Sequence, residues 1–491
     1  MKTWILLLAC WPLCAAAEDA TTWRAEGALA LQQAKRLQPN SRPAKNIILM
    51  VGDGMGITTV TAGRIFAGQQ RGLEGERYQL GFEKLPYVAL SKTYSANQQT
   101  PDSAPTMSAM VTGVKTNDGV LSLSQDVEHG DPDVKHVTAA SMPTILELAE
   151  QSGRSSGVVT TTRVTHATPA ATYAHSSHRD WEVDSGLPRG VTVPDIAAQL
   201  VDRFGPGGIG DGLEVVLGGG RSYFMPGSQP DPEYAGQAGK RQDGRDLVAE
   251  FQHKFSARYV WNQAQFDAID PRQTKRLLGL FEPSHLNYEH DRPADKAGEP
   301  PLSAMTAKAI QILQQNPRGY FLMVEGGRID HASHAGNAYR TLSETAEFSR
   351  AVETVLSLVD LNETLVIVTA DHSHTLSLGG YPQRGNPILG TVKEPGQREA
   401  KKAKDGKPYT TLQFANGPGA ALTGSRREQD GAQADTQAAD YHQPALVPLE
   451  AETHGGEDVA IFAGGPNAYL FHGVQEQSYI FYVMKDAFRL P

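Results

Sequence analysis

The sequence predicts an α/β fold with a central, largely parallel sheet flanked by helices. Six short apolar runs each end in a glycine or polar cluster, which is typical of strands buried on both faces. Segments with helical periodicity separate these runs. Alternating strands and helices favour a parallel sheet, and ligands of such sheets bind outside the carboxyl ends of the strands.

The elements follow in order along the chain. Residues 20–38 have the pattern of an amphipathic helix that ends at Pro39. The runs predicted as strands are 46–51, 155–162, 213–220, 320–327, 364–374 and 458–465. The clearest helical patterns between them are 142–153, 302–316 and 339–359. Residues 385–450 lack such periodicity, and we interpret them as an inserted surface subdomain.

Size and charge exclude some classes of protein. A chain of 491 residues has room for about three domains by length alone. The net charge of −10 and the absence of a dense Lys/Arg block argue against nucleic acid as the main partner. Fifteen histidines make metal ligation or acid–base chemistry plausible.

The first 20 residues, MKTWILLLACWPLCAAAEDA, have the layout of a secretory signal peptide. Small residues before Glu18 predict cleavage after residue 17 and export to a periplasmic or extracellular compartment. Lipidation at Cys10 is an alternative. Both cysteines lie in this segment, and the terminal MKDAFRLP has no hydrophobic tail, so we expect a mature protein without disulfides or a membrane anchor.

Ionisable residues collect where the predicted strands end. The stretch YFLMVEGGRIDHASHAGN (320–337) places carboxylates and imidazoles just past a buried strand. Neighbouring parallel strands would bring such groups to one edge. Imidazole with carboxylate suits zinc, and oxygen-rich positions suit magnesium. The candidates are Asp53, Glu325, Asp330, His334, Asp371, His372, His374 and, ahead of the last strand, His454.

A candidate nucleophile lies in TPDSAPTMSAMVTG (100–113), where Asp102 and Ser103 precede a helical pattern of small residues. A helix N-terminus favours an anion such as phosphate, although Ser103 could instead simply cap the helix. Further along, 161–182 crowds together several polar candidates, among which Arg179 could clamp an oxyanion with two hydrogen bonds.

Six motifs, in this order, resemble those of the alkaline phosphatase family, closer to the animal type than to the enteric bacterial type. They are GDGMG, PDSA, TTTRVTHATPAATYAHSSHRDW, VEGGRIDHASHAGNAYRTLSET, VTADHSHTLSLGGYP and ETHGGEDVAIFAGGP. The resemblance implies a phosphomonoesterase with two Zn²⁺ and one Mg²⁺ that acts through a phosphoserine, and usually a homodimer. It also implies one large domain, 18–491, in which 385–450 is a "crown" insertion.

The resemblance implies a role for each matched residue. Ser103 matches the nucleophile, Arg179 the phosphate clamp and Asp102 the group that orients the clamp. The first zinc would be held by Asp330, His334 and His454, and the second by Asp53, Asp371 and His372. Magnesium would be held by Asp53, Thr168 and Glu325, with His166 beside it as a further ligand or a partner of its waters. In this scheme His331 and His374 are not ligands.

A calcium site of the animal enzymes has a weaker match. It comprises Glu233, the carbonyl of Phe281, Glu282 and, after a small gap, Glu299. All-oxygen ligands suit calcium. The alternative is that these are ordinary surface acids.

Two other functions compete. A related phosphodiesterase or sulfatase is one, but a sulfatase would need an Arg after the nucleophile, where SAPTM has none, and a diesterase would usually have Thr for Ser103. The other is a protein that binds metal or phosphate without turnover.

Overall fold

The computed structural model describes residues 18–422 and 434–491. The predicted signal peptide and the alternative lipidation site Cys10 lie outside the described residues. Contacts divide the chain into two compact units, one ending at Pro39 and one running from Asn40 to Pro491. The first unit contains the helix Ala20–Arg36, whose N-terminus is capped by Asp19 accepting the N–H of Thr22 at 2.8 Å, and none of its residues is buried.

The described elements are numbered here in chain order. The strands are β1 Asn46–Gly52, β2 Tyr87–Lys92, β3 Ser155–Arg163, β4 Val215–Gly219, β5 Arg258–Val260, β6 Leu277–Leu280, β7 Tyr320–Gly326, β8 Thr364–Thr369, β9 Ser373–His374, β10 Leu376–Leu378, β11 Leu412–Gly417, β12 Ala445–Pro448, β13 His454–Gly455, β14 Val459–Gly464 and β15 Val474–Glu476. The helices are α1 Ala20–Arg36, α2 Ile57–Gln69, α3 Ser103–Thr112, α4 Val134–Ala139, α5 Ile145–Gln151, α6 Ala167–Ala170, α7 Ile196–Asp202, α8 Arg221–Phe224, α9 Leu247–Phe255, α10 Gln263–Asp267, α11 Leu302–Leu313, α12 Arg328–His334, α13 Ala338–Leu358 and α14 Tyr479–Ala487.

The second unit is built on a ten-stranded sheet of order β15-β2-β14-β8-β1-β7-β3-β4-β6-β5. Strand β1 lies in the middle and pairs in parallel with both β7 and β8. The predicted α/β class with a largely parallel sheet is confirmed. Strand β14 is the exception, because it runs antiparallel to both β8 and β2.

Helices cover both faces of this sheet, so its central strands are buried on both sides. Successive residues of β1 alternate between two cores: Ile47 and Leu49 pack into one, and Ile48 and Met50 into the other. This is why the strand reads as one continuous apolar run.

A separate three-stranded sheet has the order β10-β11-β12. Strands β11 and β12 lie within 385–450, the stretch predicted as an inserted subdomain, of which 423–433 lies outside the described residues. Across the described ranges, none of the helices combines the length and apolar character needed to span a lipid bilayer.

Candidate metal centre

The sheet order explains why acids and imidazoles follow a core strand. In the central strands, Val51 of β1 is in register with Glu325 of β7 and Thr369 of β8, so the residues after these strands meet at one edge. Strand β14 runs the opposite way and therefore begins at that edge. For this reason His454, which precedes β14 in sequence, joins groups that follow the other strands.

The first group of candidate ligands surrounds Asp330. Its Oδ1 lies 3.2 Å from Nε2 of His334 and 3.3 Å from Nε2 of His454. The two imidazole nitrogens are 3.1 Å apart. The structure thus brings together the three residues predicted for the first zinc. Two imidazoles and a carboxylate converging on one point are a donor set that suits Zn²⁺.

His374 also belongs to this group. Its Nε2 is 2.8 Å from Oδ1 of Asp330, and its Nδ1 is 2.5 Å from Oε2 of Glu452. Burial by itself would lower the pKa of His374, but the two carboxylates outweigh burial and raise that pKa to about 10. These two contacts let His374 orient Asp330, and the non-ligand role of His374 stays a prediction.

The second group lies around His372. Its Nε2 is 3.3 Å from an oxygen of Asp53, 3.3 Å from an oxygen of Asp371 and 3.0 Å from Oγ of Ser103. The predicted second zinc set and the predicted nucleophile therefore share one small volume.

The third group contains Asp53, His166 and Glu325, whose ligand atoms lie within 4.8 Å of one another. Oε1 of Glu325 and Nδ1 of His166 are buried without a hydrogen-bond partner. Oε2 of Glu325 accepts hydrogen bonds from Thr160 and Thr162, and Oγ1 of Thr168 is 3.5 Å from Asp53. Buried polar atoms are normally satisfied, so the two unpaired atoms point to an ion or its waters between them.

The charges of the centre favour divalent cations. Burial and the neighbouring charges of Asp371, Asp330 and Glu325 raise the pKa of Asp53 well above its usual value. Burial also raises the pKa of Glu325 to about 7. Four carboxylates crowded in a buried site repel one another unless cations neutralise them. The residues present therefore fit the implied metals.

Helix α3 presents the candidate nucleophile. Asp102 is the capping residue, since its carboxylate accepts the N–H of Ala104 at 3.2 Å, and Ser103 is the first residue inside the helix. The alternative in which Ser103 itself caps the helix is wrong. Ser103 is only 2% exposed, and its Oγ faces His372 and Asp53 at 3.0 and 3.4 Å.

Arg179 contacts the residue that caps the N-terminus of this helix. Its Nη1 donates to Asp102 at 3.1 Å, and its Nη2 lies 3.1 Å from Nε2 of His166. These contacts fix the plane of the guanidinium, which a clamp for an oxyanion requires.

Close packing explains the glycine after Asp53. Gly54 has a φ of +66°, and a Cβ at this position would lie 2.3 Å from Cδ2 of His374. The GDG sequence therefore lets the loop pass directly beneath the imidazole.

A separate acidic group forms away from this centre. It contains Glu233, Glu282 and Asp295, with ligand atoms within 4.8 Å of one another. Glu299 of the predicted calcium set is outside that group, and Oε2 of Glu299 is buried without a hydrogen-bond partner. The Phe281 carbonyl accepts a hydrogen bond from Arg221.

Sequence reasoning missed two of these residues. Glu452 lies two positions before His454 in ETHGGED, where it had no feature to separate it from its acidic neighbours. Asp295 lies in the polar stretch DRPADKAGE, which reads as ordinary surface.

Comparison with known proteins identifies clear relatives. The sequence model of the family described as alkaline phosphatase matches residues 44–490. The chain is 45% identical to the tissue-nonspecific isozyme of alkaline phosphatase from Gallus gallus, over 99% of this chain and 94% of that protein. It is 43% identical to the corresponding isozyme of Homo sapiens, over 96% of this chain and 88% of that protein.

Among solved structures, a mutant alkaline phosphatase of the Antarctic bacterium TAB5 with Mg bound has a similar fold. The TM-score is 0.63 at 22% identity, and the match covers 92% of this chain and 99% of that one.

Proposed function

Because this chain belongs to the alkaline phosphatase family, it is a metal-dependent phosphomonoesterase, and we propose that Ser103 is its nucleophile. The observation that carries this assignment is the position of Oγ of Ser103, 3.0 Å from His372 and 3.4 Å from Asp53 at the start of α3. Among the described residues of the candidate metal centre, Ser103 has the one hydroxyl that meets both conditions. It contacts two candidate zinc ligands, and it lies at a helix N-terminus.

We propose two Zn²⁺ and one Mg²⁺ as the metals. The first zinc would be held by Asp330, His334 and His454, and the second by Asp53, Asp371 and His372. Magnesium would be held by Asp53, Thr168, Glu325 and His166. When bound, such cations act as Lewis acids that ease ionisation of the serine hydroxyl and stabilise the departing oxygen.

The chain's own groups bind and orient the substrate. The guanidinium of Arg179 would hold two non-bridging phosphate oxygens, and the hydrogen bond to Asp102 keeps the guanidinium in place. The positive end of α3 adds to the attraction for the phosphate dianion.

The reaction proceeds in two displacements at phosphorus. Oγ of Ser103 forms a bond to phosphorus while the ester P–O bond breaks, and the alcohol leaves with a proton. A water oxygen then bonds to phosphorus while the Ser103 Oγ–P bond breaks, which releases inorganic phosphate and restores the hydroxyl. The backbone of α3 holds Ser103 in line for both steps.

One assay series tests this function against its competitors. We expect hydrolysis of an aryl phosphate monoester that falls on chelation and returns with zinc and magnesium, together with much slower hydrolysis of the matching diester. Faster turnover of the diester would favour a phosphodiesterase. Tight zinc binding without turnover of either ester would favour a non-catalytic scavenger.

We also propose a calcium site. The three carboxylates of Glu233, Glu282 and Asp295 support it, together with the nearby carbonyl of Phe281. In this proposal Asp295 takes the place that the family resemblance gave to Glu299. Burial raises the pKa of Glu282 to about 7, and a bound cation would favour its ionised form.

We propose that the protein is exported after cleavage before Glu18. The support is the apolar run and the small residues at 1–17, and N-terminal sequencing of secreted protein tests it. We further propose a homodimer. Exposed apolar side chains such as Tyr381 and Leu446, 78% and 83% exposed, support an interface, and light scattering would measure the assembly state.

A further inference from the structure

Arg328 is a cation without an acidic partner. It is the first residue of α12, and its Nη1 lies 3.0 Å from Nδ1 of His331. Its guanidinium carbon lies 3.7 Å from the centre of the Tyr288 ring. Within 18–422 and 434–491, no carboxylate forms an ion pair with it, and its Nε is buried without a hydrogen-bond partner.

Neighbouring arginines are neutralised. Arg163 makes two bonds to Glu182, at 2.8 and 2.7 Å. Arg340, which faces the same Tyr288 ring, is paired with Asp291 at 2.8 Å. The charge of Arg328 acts on the buried acid Glu344, but burial raises the pKa of Glu344 to about 8, so at neutral pH Glu344 carries little charge.

A row of imidazoles connects Arg328 with the proposed phosphate clamp. The His331 ring lies 4.3 Å from the His285 ring and 5.4 Å from the His166 ring. His166 in turn contacts Arg179. Arg328, His331 and His285 are each partly exposed, whereas His166 is buried. The buried His166 therefore lies between two partly exposed arginines, Arg179 and, beyond the other imidazoles, Arg328.

We propose that Arg328, with His331 and His285, forms a subsite for a second anionic group on the substrate, such as a distal phosphate. The inference rests on the proposed function, which places the reacting phosphate at Arg179. Tyr288 and His331 hold the guanidinium in one orientation, so binding a distal anion would cost little conformational entropy of the Arg328 side chain. The planar guanidinium suits the oxygens of a phosphate or phosphonate.

The test compares two series of monoesters of increasing chain length. One series carries a distal phosphonate, which adds charge but cannot be hydrolysed as an ester, and the other a distal hydroxyl. For wild type we expect kcat/KM to favour the phosphonate at one or a few chain lengths. Arg328→Gln should reduce this preference about tenfold, mainly through KM, because one charge-assisted contact is lost. Arg328→Lys should keep part of it.

Arg340→Gln is the matched control, since it removes a guanidinium beside the same ring that already has a carboxylate partner. It should keep the preference. The proposal is overturned if wild type shows no preference at any chain length, if Arg328→Gln retains it, or if Arg328→Gln slows both series equally.

A second measurement does not depend on the variant folding. Alkane bisphosphonates should bind the wild-type holoenzyme about tenfold more tightly than monophosphonates of the same length. Equal affinities would overturn the subsite. Failure of wild type to hydrolyse the hydroxyl series would instead contradict the proposed function.

Discussion

The hydroxyl oxygen of Ser103 lies 3.0 Å from Nε2 of His372, and both atoms are within 3.4 Å of an oxygen of Asp53. Burial, with the nearby His454, lowers the pKa of His372 well below its usual value, so its imidazole is neutral and can accept or ligate. In the proposed ligand scheme, one cation would bind all three of these electron-rich atoms.

Ser103→Ala should abolish the phosphoenzyme and lower kcat by several orders of magnitude, because the chain loses the atom that bonds to phosphorus. Metal content should stay near that of wild type. Mass spectrometry after an acid quench measures the phosphoenzyme. Ser108→Ala, in the same helix, is the control and should still be phosphorylated at Ser103. A trapped phosphoenzyme in Ser103→Ala would refute the assignment.

Asp53→Ala should lose metal and activity together, since Asp53 belongs to both the second and the third ligand groups. We expect at least about a hundredfold weaker metal retention, and a smaller loss for His374→Ala, because His374 orients Asp330 and is not a ligand in the proposed scheme. Metal analysis after dialysis and monoester hydrolysis are the measurements. Exposed Asp126→Ala is the control. Equal zinc content in the Asp53 and His374 variants would contradict the ligand scheme.

His166→Asp should tighten magnesium binding. A carboxylate at this position adds a negative charge next to Asp53 and Glu325. At ~4–5 Å from a bound magnesium ion, this charge would favour binding by roughly a few kcal/mol at an effective dielectric near 20, before the cost of desolvation is subtracted. The variant also loses the contact between His166 and Arg179, so its pH–rate profile should shift. Magnesium titration of metal-stripped enzyme measures the affinity, with exposed His129→Asp as control. Unchanged affinity would make His166 a packing residue only.

Calcium should raise the thermal stability of the wild-type enzyme, and Glu282→Gln should remove that gain. Glu282 is the most buried member of the acidic group, so its loss should weaken the site most. The shift in Tm on adding calcium is measured with zinc and magnesium held saturating. Exposed Glu363→Gln should respond as wild type does. The site is excluded if calcium leaves the wild-type Tm unchanged.

Stability should fall as pH rises from about 4.5 to about 8, in part because of Glu214. Burial, and then the charge of Glu150, raise its folded-state pKa from 4.5 to about 8. Across this window the folded state binds more protons than the unfolded state, so raising the pH favours unfolding, and the effect is complete above the folded pKa. The charged groups of Asp211 and Arg276 also lie near Glu214 and Glu150.

Glu214→Gln should therefore melt higher than wild type at pH 9 and close to it at pH 5, by a difference on the order of a few degrees. Because metal loss in acid affects both proteins, the difference in Tm between them is the relevant measurement. Glu363→Gln again serves as control. A constant difference across pH would contradict the raised pKa.

The sequence alone predicted the fold class and the chemistry of the centre. Both depend on local patterns: continuous apolar runs define strands buried on both faces, and the motifs that follow them carry the ligand types. The positions of Asp53, Asp330 and Asp371 relative to the strand ends were therefore readable, since each lies a few residues from a strand that its own neighbours define.

The tertiary structure decided which atoms converge. His454 reaches the centre because β14 runs antiparallel to β8, a direction that the apolar run of β14 does not encode. Glu452 orients His374, and Asp295 rather than Glu299 completes the acidic group, through side-chain contacts that link distant parts of the chain. Periodicity reports only the burial of an element. Partners that far apart in sequence are set by sheet order and packing, so only the folded chain specifies them.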